Sequence, residues 1–547
     1  MGHFGKRNSA ELQENPLYNT NHINTPLTRI PRNINTNYNA NPPQHSLMEQ
    51  SSDSHAKLPE INYGLLILSI SLATFMTALD GTIVNIALPT ISQSFNVSST
   101  TVSWVATIYL LVMAGCVLVF GKISDIIGFK RVFLSGFILF TLGSFACGLL
   151  PDLLNSLNVL IGTRAFQAIG GAMITAIGPA MITAYIPMER KGKAMGIIMT
   201  IAALGTAIGP TIGGVLTQYL SWHWIFFINI PVGIFAVLLG AKVIPAGATN
   251  RKLSGFDKHG AALIFIGLAS LLFAVSEGQT IGWTSPIIAG MLALAIITLG
   301  GFVWHELKTR DPLLELRLFK NKNFLFTNLI MSLVFFSFAG INYLLPFYLQ
   351  YVQKYDTSTA GLIMTTLSVA MMVSGILAGM LFNRVGARPL TIAAGVILVS
   401  GYFMLTYIRV GTTIAFVVLC LLVIGFGLGL AVTPVANMIM NSVSKKYQGM
   451  VSSLTSLERF APMTIGIAVF NTVFIQGVIS IAARQEIAET APANLKLPVI
   501  VAGFALTFFA IFLVGIIILI LTFVARQEIH PDYQSGTVQD GPVTGLM

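Results

Sequence analysis

Four ionisable side chains stand where this chain is otherwise most apolar. Asp80, Arg164, Glu458 and Arg459 each lie within long uncharged stretches. A charge held there is costly unless it faces a partner or a water-filled cavity, so each is a functional candidate. Asp80 lies nine residues before Pro89, in Leu79-Asp-Gly-Thr-Ile-Val-Asn85-Ile-Ala-Leu-Pro89. Arg164 lies nine residues after Asn155. A rise of ~1.5 Å per residue puts each about 13 Å from a helix end on the same side, so the two can pair if their helices adjoin. A carboxylate whose burial and arginine contact change as a cavity opens and closes can bind and release a proton. That pattern suits proton coupling or contact with a cationic substrate; the alternative is a static salt bridge. Glu458 and Arg459 are neighbours about 15 Å inside their helix. Adjacent positions point in different directions, so they cannot simply neutralise one another.

Other chemistry finds little support. Cys116, Cys147 and Cys420 lie inside apolar runs with no zinc-ligand spacing and no disulfide framework; they read as packing residues. His223, His259 and His305 fall at the edges of apolar stretches, far apart in sequence. No Gly-x-x-x-x-Gly-Lys-(Ser/Thr) loop is present, so the commonest ATP-binding sequence is missing. A membrane-embedded enzyme would need clustered His, Asp or Glu, and no such cluster is visible.

The elements that must position these charges are membrane helices. The chain has 547 residues, 54% hydrophobic and 10% charged, with 50 glycines and 36 phenylalanines. Soluble domains carry about 25% charged residues. Apolar stretches recur from Tyr63 to Val524, and fourteen are long enough to span a bilayer. They fall near 63–89, 100–120, 132–150, 156–183, 194–219, 224–243, 259–277, 285–304, 325–350, 358–382, 389–408, 412–438, 449–478 and 498–524. Residues 1–60 are rich in Asn, Thr and Pro. They cannot bury enough apolar surface to offset ordering entropy, which predicts a disordered tail. With no signal-peptide core ahead of it, the first span is expected to act as an uncleaved anchor.

The net charge of +10 does not imply nucleic acid. With fourteen spans, 25 of the 31 lysines and arginines fall on one set of connecting faces. Only Lys354, Arg409, Arg484 and Lys496 fall on the other. The positive-inside rule then predicts that both termini are cytoplasmic.

Two motifs point to transport. Gly121-Lys-Ile-Ser-Asp125-Ile-Ile-Gly128 follows the second span and Gly379-Met-Leu-Phe-Asn383-Arg-Val-Gly386 the tenth, 258 residues later. Two six-helix halves separated by an extra helix pair would give that offset, and parallel repeats suggest halves rocking about a central site. The expected domains are a tail over 1–60, bundles over 61–243 and 325–524, a linker with the inserted pair over 244–324, and a second tail over 525–547. Asp125 can cap a helix or pair with Arg131, forming a latch that breaks as the halves turn. In the fifth span, Gly205-Thr-Ala-Ile-Gly209-Pro210-Thr-Ile-Gly213-Gly214 combines a proline that interrupts backbone bonding with glycines that admit a close neighbour. A bend there could seal or open a pathway; simple small-residue packing is the plainer reading.

Taken together these residues resemble the major facilitator superfamily, and specifically its fourteen-helix drug:proton antiporter family of the EmrB/QacA type, from about residue 63 to 524. Gly121 to Arg131 resembles the loop signature after helix two, with Ile126 at a position often basic. Asn383 replaces the acid in the second copy. Arg164-Ala-Phe-Gln167-Ala168-Ile-Gly170-Gly171 resembles the helix-four motif linked to proton transfer, with Ala168 at a usual glycine. Gly205 to Gly214 resembles the helix-five antiporter motif. Leu79 to Pro89, with Asp80 and Asn85, resembles the helix-one motif. Trp222-His-Trp224-Ile-Phe-Phe-Ile-Asn229-Ile-Pro231-Val-Gly233 resembles the signature entering helix six, and Arg459 matches an arginine of helix thirteen. The resemblance implies an all-α major facilitator fold and alternating access in a bacterial inner membrane. It implies export of lipophilic or cationic small molecules driven by the proton gradient, with no bound cofactor. Exporters of this type sometimes work with a periplasmic adaptor and an outer-membrane channel. A permease or symporter for a small metabolite or siderophore is the alternative function.

Overall fold

In the computed structural model, residues 62–245, 257–309, 312–444, 447–486, 492–528 and 530–531 are described. The predicted tail over 1–60 lies outside them, as does most of the second tail. Fourteen helices among the described residues are long and apolar enough to cross a membrane. We number them α1 (Tyr63–Ser94), α2 (Ser99–Ile127), α3 (Phe129–Leu153), α4 (Leu157–Tyr185) and α5 (Met188–Tyr219). The span Trp224–Val243 is α6. The inserted pair is α7 (Lys258–Ile281) and α8 (Pro286–Lys308). Then come α9 (Lys322–Phe347), α10 (Thr357–Val385), α11 (Ala387–Leu405), α12 (Ile414–Asn441), α13 (Gln448–Arg484) and α14 (Ala493–Val524). Side chains cap several starts: Asn62 accepts from Leu65 N, Asp257 from Gly260 N and Asp356 from Thr359 N, each satisfying an amide that the helix leaves unbonded.

The helices form two six-helix bundles, α1–α6 and α9–α14, and the packing repeats between them. In the first bundle α1 packs on α5, α2 and α3 on α4, and α3 on α6. In the second α9 packs on α13, α10 and α11 on α12, and α11 on α14. The bundles meet along two seams, α5 against α10 and α2 against α13, which the same pairing rule relates. Helix α7 lies over the α2–α13 seam, touching both helices, and α8 packs outside it on α7. Ile296 and Ile297 of α8 are 74% and 69% exposed. An apolar surface of that kind suits lipid rather than water.

The repeated turns share one backbone form. Gly128 ends α2 with φ +93°, and Gly386 ends α10 with φ +85°, a region that side chains avoid and glycine enters freely. The basic residues that follow also act alike. Lys130 Nζ donates to the carbonyl of Ala241 at the end of α6, at 2.6 Å. Its repeat partner Arg388 donates to the carbonyl of Phe523 at the end of α14, at 3.1 Å. Cations there satisfy helix-end carbonyls and oppose the negative end of the helix dipole. Arg131 is exposed, and the Asp125 side chain lies outside the described atoms.

Most helices extend a few residues past the sequence reading, and three differences bear on the site. Helix α1 does not stop at Pro89 but continues to Ser94, which places Asp80 about 21 Å from the helix end rather than 13 Å. Pro89 lies inside the helix, and side chains of α9 bond carbonyls next to it, as described below. Helix α6 opens with a short turn, Trp224–Phe227, before its main run, Asn229–Val243. Helix α9 ends in a widened π turn, Tyr348–Val352.

Candidate functional site

The helix-one and helix-four charges meet in the first bundle. Arg164 Nη1 lies 2.8 Å from Asp80 Oδ2, with the residues 1% and 0% exposed. Three further helices complete the network. Gln167, one turn beyond Arg164 on α4, accepts from Arg164 at 2.6 Å and donates to Asp80 Oδ1 at 3.0 Å. It also donates to Ser144 Oγ of α3 at 2.7 Å. Asn229, at the start of the main run of α6, donates to Asp80 Oδ1 at 3.2 Å and to Ser144 at 3.3 Å. Arg164 Nε reaches the Val105 carbonyl of α2 at 3.3 Å, and its guanidinium lies 4.1 Å from the Tyr109 ring centre. Asp80 thus accepts three charge-assisted or amide bonds, which satisfy its buried oxygens away from water.

The pair opens onto the interface between the bundles. A cavity of about 10 Å³, room for about one water, is lined by Asp80, Asn85, Tyr109 and Arg164 of the first bundle and by Asn342, Met463 and Ile467 of the second. The Tyr109 hydroxyl has no hydrogen-bond partner. Arg459 precedes Met463 by one turn on α13, and its guanidinium lies 5.7 Å from the Phe335 ring and 5.8 Å from the Phe460 ring. Glu458 is 7% exposed and its Oε2 has no partner. The structure therefore joins Asp80 to Arg164 and does not pair Glu458 with Arg459.

The glycines of α5 bring two helices against it. A Cβ at Gly205 or Gly213 would lie 2.7 Å from the Phe75 or Ile83 carbonyl of α1, and one at Gly209 would strike Thr82. On the other side a Cβ at Gly214 would lie 2.5 Å from the Thr357 carbonyl of α10. Gly361 of α10 packs in turn on the Pro210 carbonyl, and Thr211 and Thr365 are hydrogen-bonded at 2.6 Å. The helix runs through Pro210 to Tyr219. The row at 205, 209 and 213 serves the bundle, while Pro210 and Gly214 serve the seam.

Beside that seam the π turn of α9 clasps α1 around Pro89. Gln350 Nε2 donates to the Ile86 carbonyl at 2.9 Å, and Tyr351 Oη to the Pro89 carbonyl at 3.0 Å. Asn85 Nδ2 bonds the Gly81 carbonyl at 3.4 Å. Pro89 has no N–H for the Asn85 carbonyl, and the carbonyls of Ile86 and of Pro89 itself each take a side-chain donor from the opposite bundle. These contacts lie at the face away from the basic loops.

The family model described as Major Facilitator Superfamily matches residues 70–467. The chain belongs to the Major Facilitator Superfamily. It is 33% identical over 418 residues to the riboflavin transporter RibZ of Clostridioides difficile, covering 76% of this chain and 89% of that protein. It is 35% identical over 410 residues to the multidrug resistance protein Stp of Mycobacterium tuberculosis, covering 75% of each. The fold is shared with a crystal structure of a D-xylose–proton symporter, at a TM-score of 0.59 and 12% identity, covering 86% of this chain and 98% of that one. This facilitator is therefore a multi-pass membrane transporter and not an enzyme.

Sequence reading passed over Ser144, Asn229 and Gln167 as partners of Asp80. Uncharged polar residues are common in membrane helices, so nothing in their type marks them. Gln167 and Asn229 do stand inside the quoted motifs, which was the available signal. Sequence reading places His305 only at a span edge and Glu306 beyond the predicted span 285–304, whereas that helix runs on to Lys308.

Proposed function

We propose that this facilitator is a proton-driven exporter of lipophilic or cationic small molecules, placed in a bacterial inner membrane with both termini cytoplasmic. The observation that carries the reading is the buried Asp80–Arg164 pair in the wall of the inter-bundle cavity. A proton taken up by Asp80 removes the charge that holds Arg164 and weakens the bonds from Gln167 and Asn229. Arg164 then lacks a counter-charge until the bundles rearrange or the proton leaves. Protonation thereby biases one arrangement of the seams over the other, which is the requirement for coupling. Similarity to Stp, a multidrug resistance protein, supports a drug as cargo, and the aromatic rings near Arg459 supply faces for a flat, lipophilic molecule. The basic loops support the orientation. No resident cofactor is required, since the gradient supplies the energy; export beyond an outer membrane would need a periplasmic adaptor and an outer-membrane channel.

The test uses everted vesicles. Adding a transported drug to acidified vesicles should release part of the proton gradient, and Asp80→Asn or Arg164→Ala should abolish the release while the protein remains in the membrane. An unchanged response in both variants overturns the assignment. A second reading, uptake of a flat metabolite, is favoured by the similarity to RibZ. Lowered riboflavin accumulation on deletion, with drug tolerance unchanged, would decide for it.

A further inference from the structure

A second group of ionisable residues lies away from the central cavity, where the inserted pair meets the basic face. Asp257 precedes α7, and His305 and Glu306 lie in the last turn of α8. Asp257 is 8% exposed and Glu306 2%. One oxygen of each carboxyl group is fully engaged. Asp257 Oδ1 accepts from Gly260 N at 2.8 Å and faces His305 Nε2 at 2.7 Å. Glu306 Oε2 accepts from Leu314 N at 3.1 Å. The other two oxygens, Asp257 Oδ2 and Glu306 Oε1, are buried without a donor. Both converge over the α-carbon of Gly260, where a Cβ would strike each of them.

Two carboxylates offer only acceptors, so oxygens converging in a dry site repel one another. A single proton converts that repulsion into a short charge-assisted O–H···O bond. No described group of three His, Cys, Asp or Glu residues has the arrangement to hold a metal ion. The neighbouring charges are otherwise committed. His305 faces the outer oxygen of Asp257, with the His259 ring 6.1 Å from its own. Lys308 lies over the Trp304 ring at 4.0 Å, and Arg317 reaches Glu315 at 3.8 Å. Among the described residues no lysine or arginine neutralises the pair.

We propose that Asp257 and Glu306 form a second proton-binding site, one proton held between the two carboxyl groups at the end of the inserted pair. Burial pushes the Asp257 carboxyl up, but the bonds from Gly260 and His305 outweigh it and hold Asp257 below the usual carboxylate range. Asp257 is therefore the acceptor and Glu306 carries the shared proton; the titration belongs to the pair. The Leu314 amide ties this site to the segment leading into α9, so the proton holds the inserted pair to the chain that enters the second bundle. Losing it leaves two buried like charges and loosens that attachment.

The experiment uses the whole chain in detergent from about pH 5 to about pH 9, a range that starts above the usual carboxyl titration. Infrared difference spectra should show a protonated-carboxyl C=O band that titrates within the range. That band should be lost in Glu306→Gln and in Asp257→Asn and kept in Asp80→Asn. Thermal unfolding of the natural protein should move to lower temperature as pH rises. In Glu306→Gln, whose amide is a permanent donor, that fall should flatten. The two spectral variants make the result independent of whether one of them folds poorly. A band that survives both substitutions, or unfolding curves of the natural protein and Glu306→Gln that fall in parallel, overturns the proposal. So does stabilisation by sodium ions equal to that by acid, which would mark a cation site instead.

Discussion

Replacing Asp80 with Asn removes a carboxylate that accepts from Arg164 at 2.8 Å, Gln167 at 3.0 Å and Asn229 at 3.2 Å. Arg164 stays 1% exposed, with Gln167 Oε1 and the Val105 carbonyl as its remaining acceptors. Removing one partner of a buried pair costs about 3–5 kcal/mol, because the other charge stays desolvated. Arg164→Gln should cost a similar amount by stranding Asp80. The double variant strands neither charge. Its loss should fall short of the sum of the single losses by about 2–3 kcal/mol, the upper range for coupled neighbours. Unfolding midpoints of the four proteins in one mild detergent, with ligand absent, would measure this. Additive losses would refute the reasoning, since they would mean that the two charges do not sense each other.

Other outcomes follow from the seams and caps. Gly214→Val places a side chain where the Thr357 carbonyl is 2.5 Å away; overpacking of this kind costs about 1–3 kcal/mol. It should abolish transport in cell assays while the membrane level of the protein is largely kept. Tyr351→Phe removes the hydrogen bond to Pro89, worth about 1 kcal/mol. A cysteine substituted at Asn342 in the cavity should then react with a polar maleimide about five-fold faster; an unchanged rate would show that the clasp does not restrain opening. The Thr359 hydroxyl and amide hold the Asp356 carboxyl below its usual range. Its stabilising effect is therefore present above the unfolded-state pKa and lost as pH falls through the lower folded value. Asp356→Ala should cost about 1 kcal/mol at neutral pH and lose that difference in acid, as read by unfolding at both pH values.

The fold was legible because the membrane imposes it. Span length, the alternation of basic loops and the repeat from Gly121 to Gly379 need no tertiary information. Helix ends were less legible. Pro89 reads as a stop, but the helix continues to Ser94, with Gln350 and Tyr351 of the opposite bundle bonded to carbonyls next to the proline. At the site, charge in an apolar stretch exposed Asp80 and Arg164, while Ser144 and Asn229 carried no comparable mark. The histidines show the limit in reverse. His259 and His305 are far apart in sequence, yet the α7–α8 hairpin brings their rings to 6.1 Å. The repeated turn was readable as glycine spacing, but its cationic work falls to Lys130 and Arg388, because α6 and α14 pack on α3 and α11 and end beside them.

If the Asp80–Arg164 pair couples proton movement to cargo movement, breaking the pair uncouples them. Purified natural protein and Asp80→Asn, reconstituted in liposomes, separate the two events. With drug on both sides and no pH gradient, both proteins should exchange labelled for unlabelled drug. With an imposed pH gradient, only the natural protein should accumulate drug against its concentration. Accumulation by Asp80→Asn equal to that of the natural protein would contradict the account.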